Sequence, residues 1–119
     1  MFEDVTSVAL HTALRGLSMR QRTISDNVAN LQTPGFLAGR VQFEDALREA
    51  VASGSTAQAA RVTPGVARSL EPTREDGNNV NLDTETISGI DTNLRYQLAL
   101  RAVDERGKLL KTAIGGGGF

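Results

Sequence analysis

Residues 24–36 read Ile-Ser-Asp-Asn-Val-Ala-Asn-Leu-Gln-Thr-Pro-Gly-Phe, and this stretch joins a helical pattern to a sharp stop. Because Thr33 precedes a proline, its backbone favours extended geometry, and the helix should end one residue earlier. Pro34 and Gly35 suit the central positions of a type II turn, since glycine accepts the positive φ that the second position requires. The sequence therefore predicts a long helix over residues 1–32, followed by a turn.

Apolar residues upstream of the turn recur at alternating spacings of four and three, which is typical of a helix that packs along a narrow seam. The seam residues are Leu10, Leu14, Leu17, Ile24, Val28 and Leu31. Gln21 is the polar exception, and it either sets the register of packing or occupies a loosely packed layer. Gly16 weakens the helix by about 1 kcal/mol relative to alanine unless a close neighbour uses the missing side chain.

A second long helix is predicted over residues 83–114. Asn81 or Asp83 can cap its N-terminus, and the glycines that follow give a tail over 115–119. Its apolar stripe is broader than a single coiled-coil seam and contains Ile87, Ile90, Leu94, Leu98, Val103, Leu110 and Ile114. Gly107 interrupts the stripe and would permit close approach of another backbone.

The segment between the two long helices divides into two parts. Residues 33–52 hold the turn and a short helix on which Phe43, Leu47 and Val51 share one face. Residues 53–82 are rich in small and turn-forming residues, and they are expected to form an irregular linker or loop. We expect removal of part of residues 55–70 to be milder than Leu94→Asp, because that stretch has little to bury and loop closure entropy changes slowly with length.

The predicted fold class is mainly α, with the two long terminal helices paired as an antiparallel coiled coil. A two-helix unit has one seam, so the surplus apolar face of the C-terminal helix is expected to contact other subunits. A head-to-tail contact of this kind that does not close produces a helical filament.

The composition excludes several classes of function. The chain has 119 residues, a net charge of −1, one histidine and no cysteine. His11 has no nucleophile partner, so we predict no catalytic, cofactor-binding or metal site, no small-molecule substrate and no nucleic-acid partner. The run from Asp76 lacks the glycine and glutamate positions of a calcium loop. The chain shows no transmembrane run and no secretory signal pattern.

Two blocks of sequence resemble the family of bacterial flagellar rod, hook and hook-associated proteins. The first contains Asn27, Ala29, Asn30, Thr33, Pro34, Gly35 and Phe36. The second contains Asp76, Gly77, Asn78, Val80 and Asp83, and it resembles the block before the C-terminal helix of a proximal rod subunit. Asn81 stands where that pattern usually has aspartate. Tyr96 and Gln97 resemble a pair within the family's C-terminal helix.

The resemblance implies a structural subunit of the proximal rod of the flagellar basal body, which assembles by helix packing into a hollow, torque-transmitting shaft. It implies contacts with further copies, with the rod proteins FlgC, FlgF and FlgG, and with FliE. It also implies a periplasmic location and export by the flagellar type III apparatus without a cleaved signal. The alternatives are another rod subunit such as FlgC, or a cytoplasmic helical adaptor or export chaperone.

Overall fold

A computed structural model describes residues 4–115, which form an elongated unit of 67 × 27 × 15 Å. The first residues of the predicted N-terminal helix and residues 116–119 of the predicted glycine tail lie outside the described residues. The elements in chain order are α1 (Val5–Ala29), β1 (Gly39–Gln42), α2 (Glu44–Ala52), α3 (Thr56–Arg61), β2 (Gly65–Arg68) and α4 (Leu82–Gly115).

Helix α1 begins with a side-chain cap and ends earlier than the sequence indicated. The Asp4 carboxylate accepts a 2.8 Å hydrogen bond from the Ser7 N–H. The helix ends at Ala29, so the predicted extension to residue 32 is wrong. The side chain of Asn78 donates to the carbonyl oxygens of Asn30 and Leu31, and these bonds replace the next helical turn.

Helices α1 and α4 run antiparallel and pack along their length, which confirms the predicted pairing of the two terminal helices. Arg106, in the second half of α4, forms an ion pair with Asp4 at the start of α1. At the other end, the Asn27 side-chain amide donates to the Glu85 carboxylate. The helices are therefore joined by polar contacts near both ends.

The face of α4 that packs on α1 is not the face that carries most of the predicted apolar stripe. Glu85 and Thr92 are buried there, and Tyr96 and Ala99 pack against the core. The predicted packing residues Val103 and Leu110 are half-buried on the same side. Within the chain the rest of the stripe does not pack: its side chains are 56–68% exposed, and they are Ile87, Ile90, Leu94, Leu98 and Ile114.

The seam of α1 also differs from the prediction at its C-terminal end. Leu17 is buried, whereas Leu10, Leu14, Ile24 and Leu31 are half-buried. Val28, predicted to be a seam residue, is 39% exposed, and the neighbouring Asn27 is buried in its place. The polar residue is preferred because its amide meets hydrogen-bond partners on two other elements.

The middle of the chain is more regular than predicted. Strands β1 and β2 form a two-stranded antiparallel sheet in which Gly39 lies opposite Arg68. Helix α3 packs on α1, with Ala59 fully buried and its carbonyl accepting a 3.0 Å bond from Thr12 Oγ1. The irregular linker predicted for 53–82 was therefore wrong for α3 and β2. A deletion there would remove these contacts and is expected to destabilise the fold.

A small apolar core joins β1, α1 and the start of α2. Its buried members are Leu17, Val41 and Phe43. A Cβ atom at Gly16 would lie 2.5 Å from two ring carbons of Phe43, so the ring occupies the space that the glycine leaves. At Gly107 no other part of the described chain lies within 4 Å of such a Cβ, so a close backbone approach there would have to come from another subunit.

Candidate functional site

The predicted turn after α1 has the expected geometry. Phe36 donates its N–H to the Thr33 carbonyl over 3.3 Å, and Gly35 has a φ of 73°. Both observations fit a type II turn and confirm the requirement for glycine at the second central position. Pro34, at the first central position, is exposed.

The two sequence blocks that are separated by about forty residues meet at this turn. The Gly35 N–H donates a 2.8 Å hydrogen bond to the Asp76 carbonyl, and the Asn79 N–H donates to the Phe36 carbonyl over 3.2 Å. Gly77 also has a positive φ, of 83°, and a Cβ atom there would lie 3.3 Å from Gly35 Cα. The two glycines therefore allow the two loops to lie against each other.

The side chain of Asn78 joins the second sequence block to the end of α1 through hydrogen bonds. Its buried Nδ2 atom lies 2.8 Å from the Asn30 carbonyl oxygen and 2.8 Å from that of Thr33. Its Oδ1 atom accepts a 2.7 Å bond from the Val80 N–H. One side chain thus satisfies carbonyl groups that the end of a helix leaves without partners.

The side chain of Asn79 likewise forms hydrogen bonds with backbone groups next to β1 and β2. Its Oδ1 accepts a 2.7 Å bond from the Ala38 N–H, and its Nδ2 lies 3.1 Å from the carbonyl oxygens of Ser69 and Glu71. The sequence analysis did not assign this residue to the motif. Its position beside Asn78, within an amide-rich block, was the available signal.

Asn27 and Glu85 complete the arrangement on the helix pair. Asn27 accepts from the Gly39 N–H over 2.8 Å and donates to the Gly39 carbonyl over 3.0 Å, while its Nδ2 also donates to Glu85. Glu85 is buried, and its second oxygen lies 2.8 Å from Arg40 Nη1. Glu85 and Arg40 were missed by the sequence analysis, because apolar periodicity gives no signal for a buried ion pair.

We call this cluster of buried polar side chains the polar hub, and its members are Asn27, Asn78, Asn79 and Glu85. Every member bonds to a segment distant in the chain, so the hub fixes the relative positions of α1, α4 and the intervening strands. Among residues 4–115 no group of three histidine, aspartate or glutamate side chains could hold a metal ion. The chemistry of the hub is structural: the three amides bind backbone groups, and the Glu85 carboxylate binds the side chains of Asn27 and Arg40.

The remaining motif residues lie around the hub or further along α4. Val80 is buried, and the Arg68 guanidinium lies 5.6 Å from the centre of the half-buried Phe36 ring. Ala29 and Asp83 are exposed. Tyr96 packs against the core far from the hub, whereas its neighbour Gln97 is exposed. The structure therefore unites the first two motifs and leaves the third separate.

Two ion pairs outside the hub hold α1 to its neighbours. Arg20 binds both carboxylate oxygens of Glu44, at 2.5 and 2.7 Å, and donates to the Val41 carbonyl. This hydrogen bonding by Arg20 lowers the pKa of Glu44. The Ser7 N–H, followed by the guanidinium of Arg106, lowers the pKa of Asp4.

A second candidate surface is the exposed row of aliphatic side chains on α4, which we call the α4 stripe: Ile87, Ile90, Leu94 and Leu98. At about 100° per residue, this row lies nearly opposite the α1-facing side chains of Glu85, Thr92 and Tyr96. It is therefore free of contacts with α1. None of the helices within residues 4–115 is sufficiently long and apolar to cross a membrane.

Comparison with known proteins agrees with these features. The chain matches no protein-family model. It is 30% identical to the flagellar basal body rod protein FlgB of Borrelia hermsii over 82% of its own length and 86% of that protein. It is 32% identical to FlgB of Aeromonas hydrophila, covering 79% and 80% of the two chains. With FlgB of Bacillus subtilis strain 168 the identity is 27%, over 91% and 92%. The chain belongs to the FlgB family of flagellar basal body rod proteins.

Proposed function

We propose that this chain is a structural subunit of the proximal rod of the bacterial flagellar basal body. The observation that carries the proposal is the similarity to FlgB proteins, which extends over about four-fifths of the chain at 30–32% identity. Members of this family are structural rod proteins and not enzymes. The hub agrees with this role, since its side chains bond groups in distant segments and so hold the fold together.

The subunit would contribute stiffness and a surface for assembly. The helix pair is joined near both ends, and the hub fixes the loop that follows α1. The α4 stripe supplies apolar surface that the monomer does not bury. Burying one such side chain is worth about 1.5–3 kcal/mol, so many copies packed by these helices would form a stable shaft. A helical array of copies around a central channel would transmit torque and leave a path for export.

The partners would be further copies of the chain and other flagellar rod components. Within the rod we propose contacts with FliE on one side and with FlgC, FlgF and FlgG on the other. We propose a periplasmic position in the rod and export through the flagellar type III apparatus without cleavage of a signal. The helix-packing residues of α1 and α4, and the motif residues of the hub, would serve this assembly.

Fractionation tests the proposal. The full chain with a small epitope tag, expressed at its native level, should be recovered in purified basal bodies and should restore swimming to a strain that lacks it. A chain that remains in the cytoplasm and is absent from basal bodies would contradict the rod function and favour an adaptor or chaperone. Rescue of a strain that lacks FlgC, but not of a strain that lacks FlgB, would favour another rod subunit such as FlgC.

A further inference from the structure

An apolar groove opens between α1, α2 and α4, on a different side of the molecule from the α4 stripe. It has a volume of about 450 Å³. Its floor includes Leu10, Leu17, Phe43 and Leu47, and Arg48 lies on its rim. The groove is lined mainly by aliphatic side chains, so it suits an aliphatic ridge from another helix better than a polar ligand.

The groove and the α4 stripe match in length. Eleven residues separate Thr6 from Leu17 along the α1 wall of the groove, and eleven separate Ile87 from Leu98 along the stripe. At about 1.5 Å per residue, each surface is about 16 Å long. The four aliphatic side chains of the α4 stripe therefore match the groove in length.

The groove lining carries three charged side chains, Glu44, Arg48 and Arg95. Glu44 pairs with Arg20 and Arg95 pairs with Asp91, so Arg48 is the charge that could meet an acidic residue beside the stripe. Asp83 lies in line with the stripe at the start of α4, is exposed, and forms no ion pair within residues 4–115. Arg48 pairs only with Asp45, its neighbour on α2, and both side chains are largely exposed. Exposed pairs of this kind contribute little stability, so Arg48 is available to an acidic partner.

We propose that the α4 stripe of one copy inserts into the α1–α2–α4 groove of the next copy. The contact joins two different surfaces of the chain, so it is heterologous, and where its rotation does not close it propagates as an open chain of subunits. Four side chains cover only part of the roughly 800 Å² per partner that a stable pair buries. A single contact is therefore weak, and only a polymer that contains many such contacts would be stable. The proposal rests on the proposed rod function and names the surfaces that would repeat along it.

The absence of cysteine from the sequence makes cross-linking a direct test. Leu94→Cys marks the stripe and Leu47→Cys marks the groove, and a short bis-maleimide joins neighbouring thiols. In concentrated purified protein we expect the double variant to form a ladder of multimers. A mixture of the two single variants should form only dimers that contain one of each, and each single variant alone should stay monomeric. A Leu94→Cys, Thr73→Cys double variant, whose second thiol lies in an exposed loop, is the matched control and should form no ladder.

Three results would overturn the stripe-to-groove contact. Dimers from Leu94→Cys alone would show that stripe packs on stripe. A Leu47→Cys product with a protein of different mass in basal bodies would show that another subunit fills the groove. A double variant that retains its helical circular dichroism but gives no ladder, in solution or in basal bodies, would show that the surfaces do not meet. A ladder in solution from a chain that is absent from basal bodies would support the contact and contradict the rod function.

Discussion

Asn27 Nδ2 lies 2.8 Å from Glu85 Oε1, and this bond joins the last turn of α1 to the first turn of α4. The two residues are 58 positions apart, and both side chains are buried. Asn27 also pairs with both backbone groups of Gly39. One amide therefore determines where two helices and a strand meet.

Replacing Asn27 with leucine should destabilise the fold. The change leaves the Gly39 N–H and carbonyl without partners and removes one hydrogen bond from the Glu85 carboxylate, so we expect a loss on the order of 2–4 kcal/mol. Urea denaturation measures this loss. Asn93→Leu, on the exposed surface of α4, is the control and should change stability by less than about 0.5 kcal/mol. Equal stabilities of the two variants would contradict the role of the hub.

Two glycines in the long helices should respond to alanine with opposite sign. Gly16→Ala places a methyl group 2.5 Å from the Phe43 ring, and we expect a loss of about 1–3 kcal/mol from the overpacked core. Gly107→Ala meets no atom within 4 Å and should stabilise α4 by about 0.5–1 kcal/mol through its helix propensity. Thermal unfolding of the two variants, compared with the wild type, measures both shifts. A gain at Gly16 would show that the ring moves aside freely.

The turn should depend on the backbone conformation of Gly35. Gly35→Val forces a β-branched residue to a φ of 73°, which costs on the order of 1–2 kcal/mol, although no atom lies within 4 Å of the new Cβ. Gly54, with a φ of 71° at the end of α2, is the matched control. Both valine variants should lose similar stability. Only Gly35→Val should also impair swimming, because Gly35 bonds to the Asp76 carbonyl, where the two motif loops meet beside the hub. Normal swimming of that strain at normal protein level would remove the basis for this prediction.

The Arg20–Glu44 pair should make stability fall in acid. In the folded protein the pKa of Glu44 is held below its ordinary value of 4.5 by its hydrogen bonds with Arg20. The stabilisation is therefore fully present above pH 4.5 and is lost as the pH falls through the lower folded-state pKa. Urea midpoints of wild type and Glu44→Gln should differ at pH 7, and the difference should shrink as the pH falls below 4.5. Glu105→Gln, an exposed control, should match the wild type throughout this range; a Glu44→Gln gap that persists unchanged in acid would refute the assignment.

Leu94→Asp should prevent assembly of the rod without unfolding the monomer. Leu94 is 56% exposed, so the variant monomer should keep its stability within about 0.5 kcal/mol. In an assembled rod the aspartate would be desolvated without a partner in every subunit, so rod growth should stop. We expect secreted protein without swimming, measured by immunoblot of periplasmic fractions and by motility assays. Asn93→Asp adds the same charge away from the stripe and should swim normally. A motile Leu94→Asp strain would show that the stripe lies outside the interfaces.

The helices and the turn could be predicted because local chemistry determines them. Proline and glycine at 34–35 required a turn with positive φ, and Asn81 caps α4 by accepting from the Thr84 N–H over 3.2 Å. The long apolar repeats of both terminal segments indicated helices that pair. These features depend on neighbours within a few positions, which a single sequence displays directly.

The helix faces could not be predicted, because they depend on distant partners. Apolar periodicity favoured Val28 and Ile87 over Asn27 and Glu85, yet the polar pair is buried since each side chain satisfies the other and a strand. Strand β2 could not be predicted either, because the residues of β1 with which it pairs are more than twenty positions away in the sequence. Glu85, Thr92, Tyr96, Ala99 and Val103 follow one another at spacings of seven, four, three and four, which suit one helix face. Because these residues differ in polarity, the row gave no apolar signal.

The two polar clamps of the helix pair have a mechanical consequence. Asp4–Arg106 and Asn27–Glu85 lie near opposite ends of antiparallel helices. A force that slides α1 along α4 therefore strains both clamps at once, in shear, instead of opening them one after the other from a free end. The two clamps therefore resist a sliding force together, whereas a force that peels the helices apart would break one clamp before it loads the other. A subunit built in this way is stiffest along its long axis, the direction in which its two helices run.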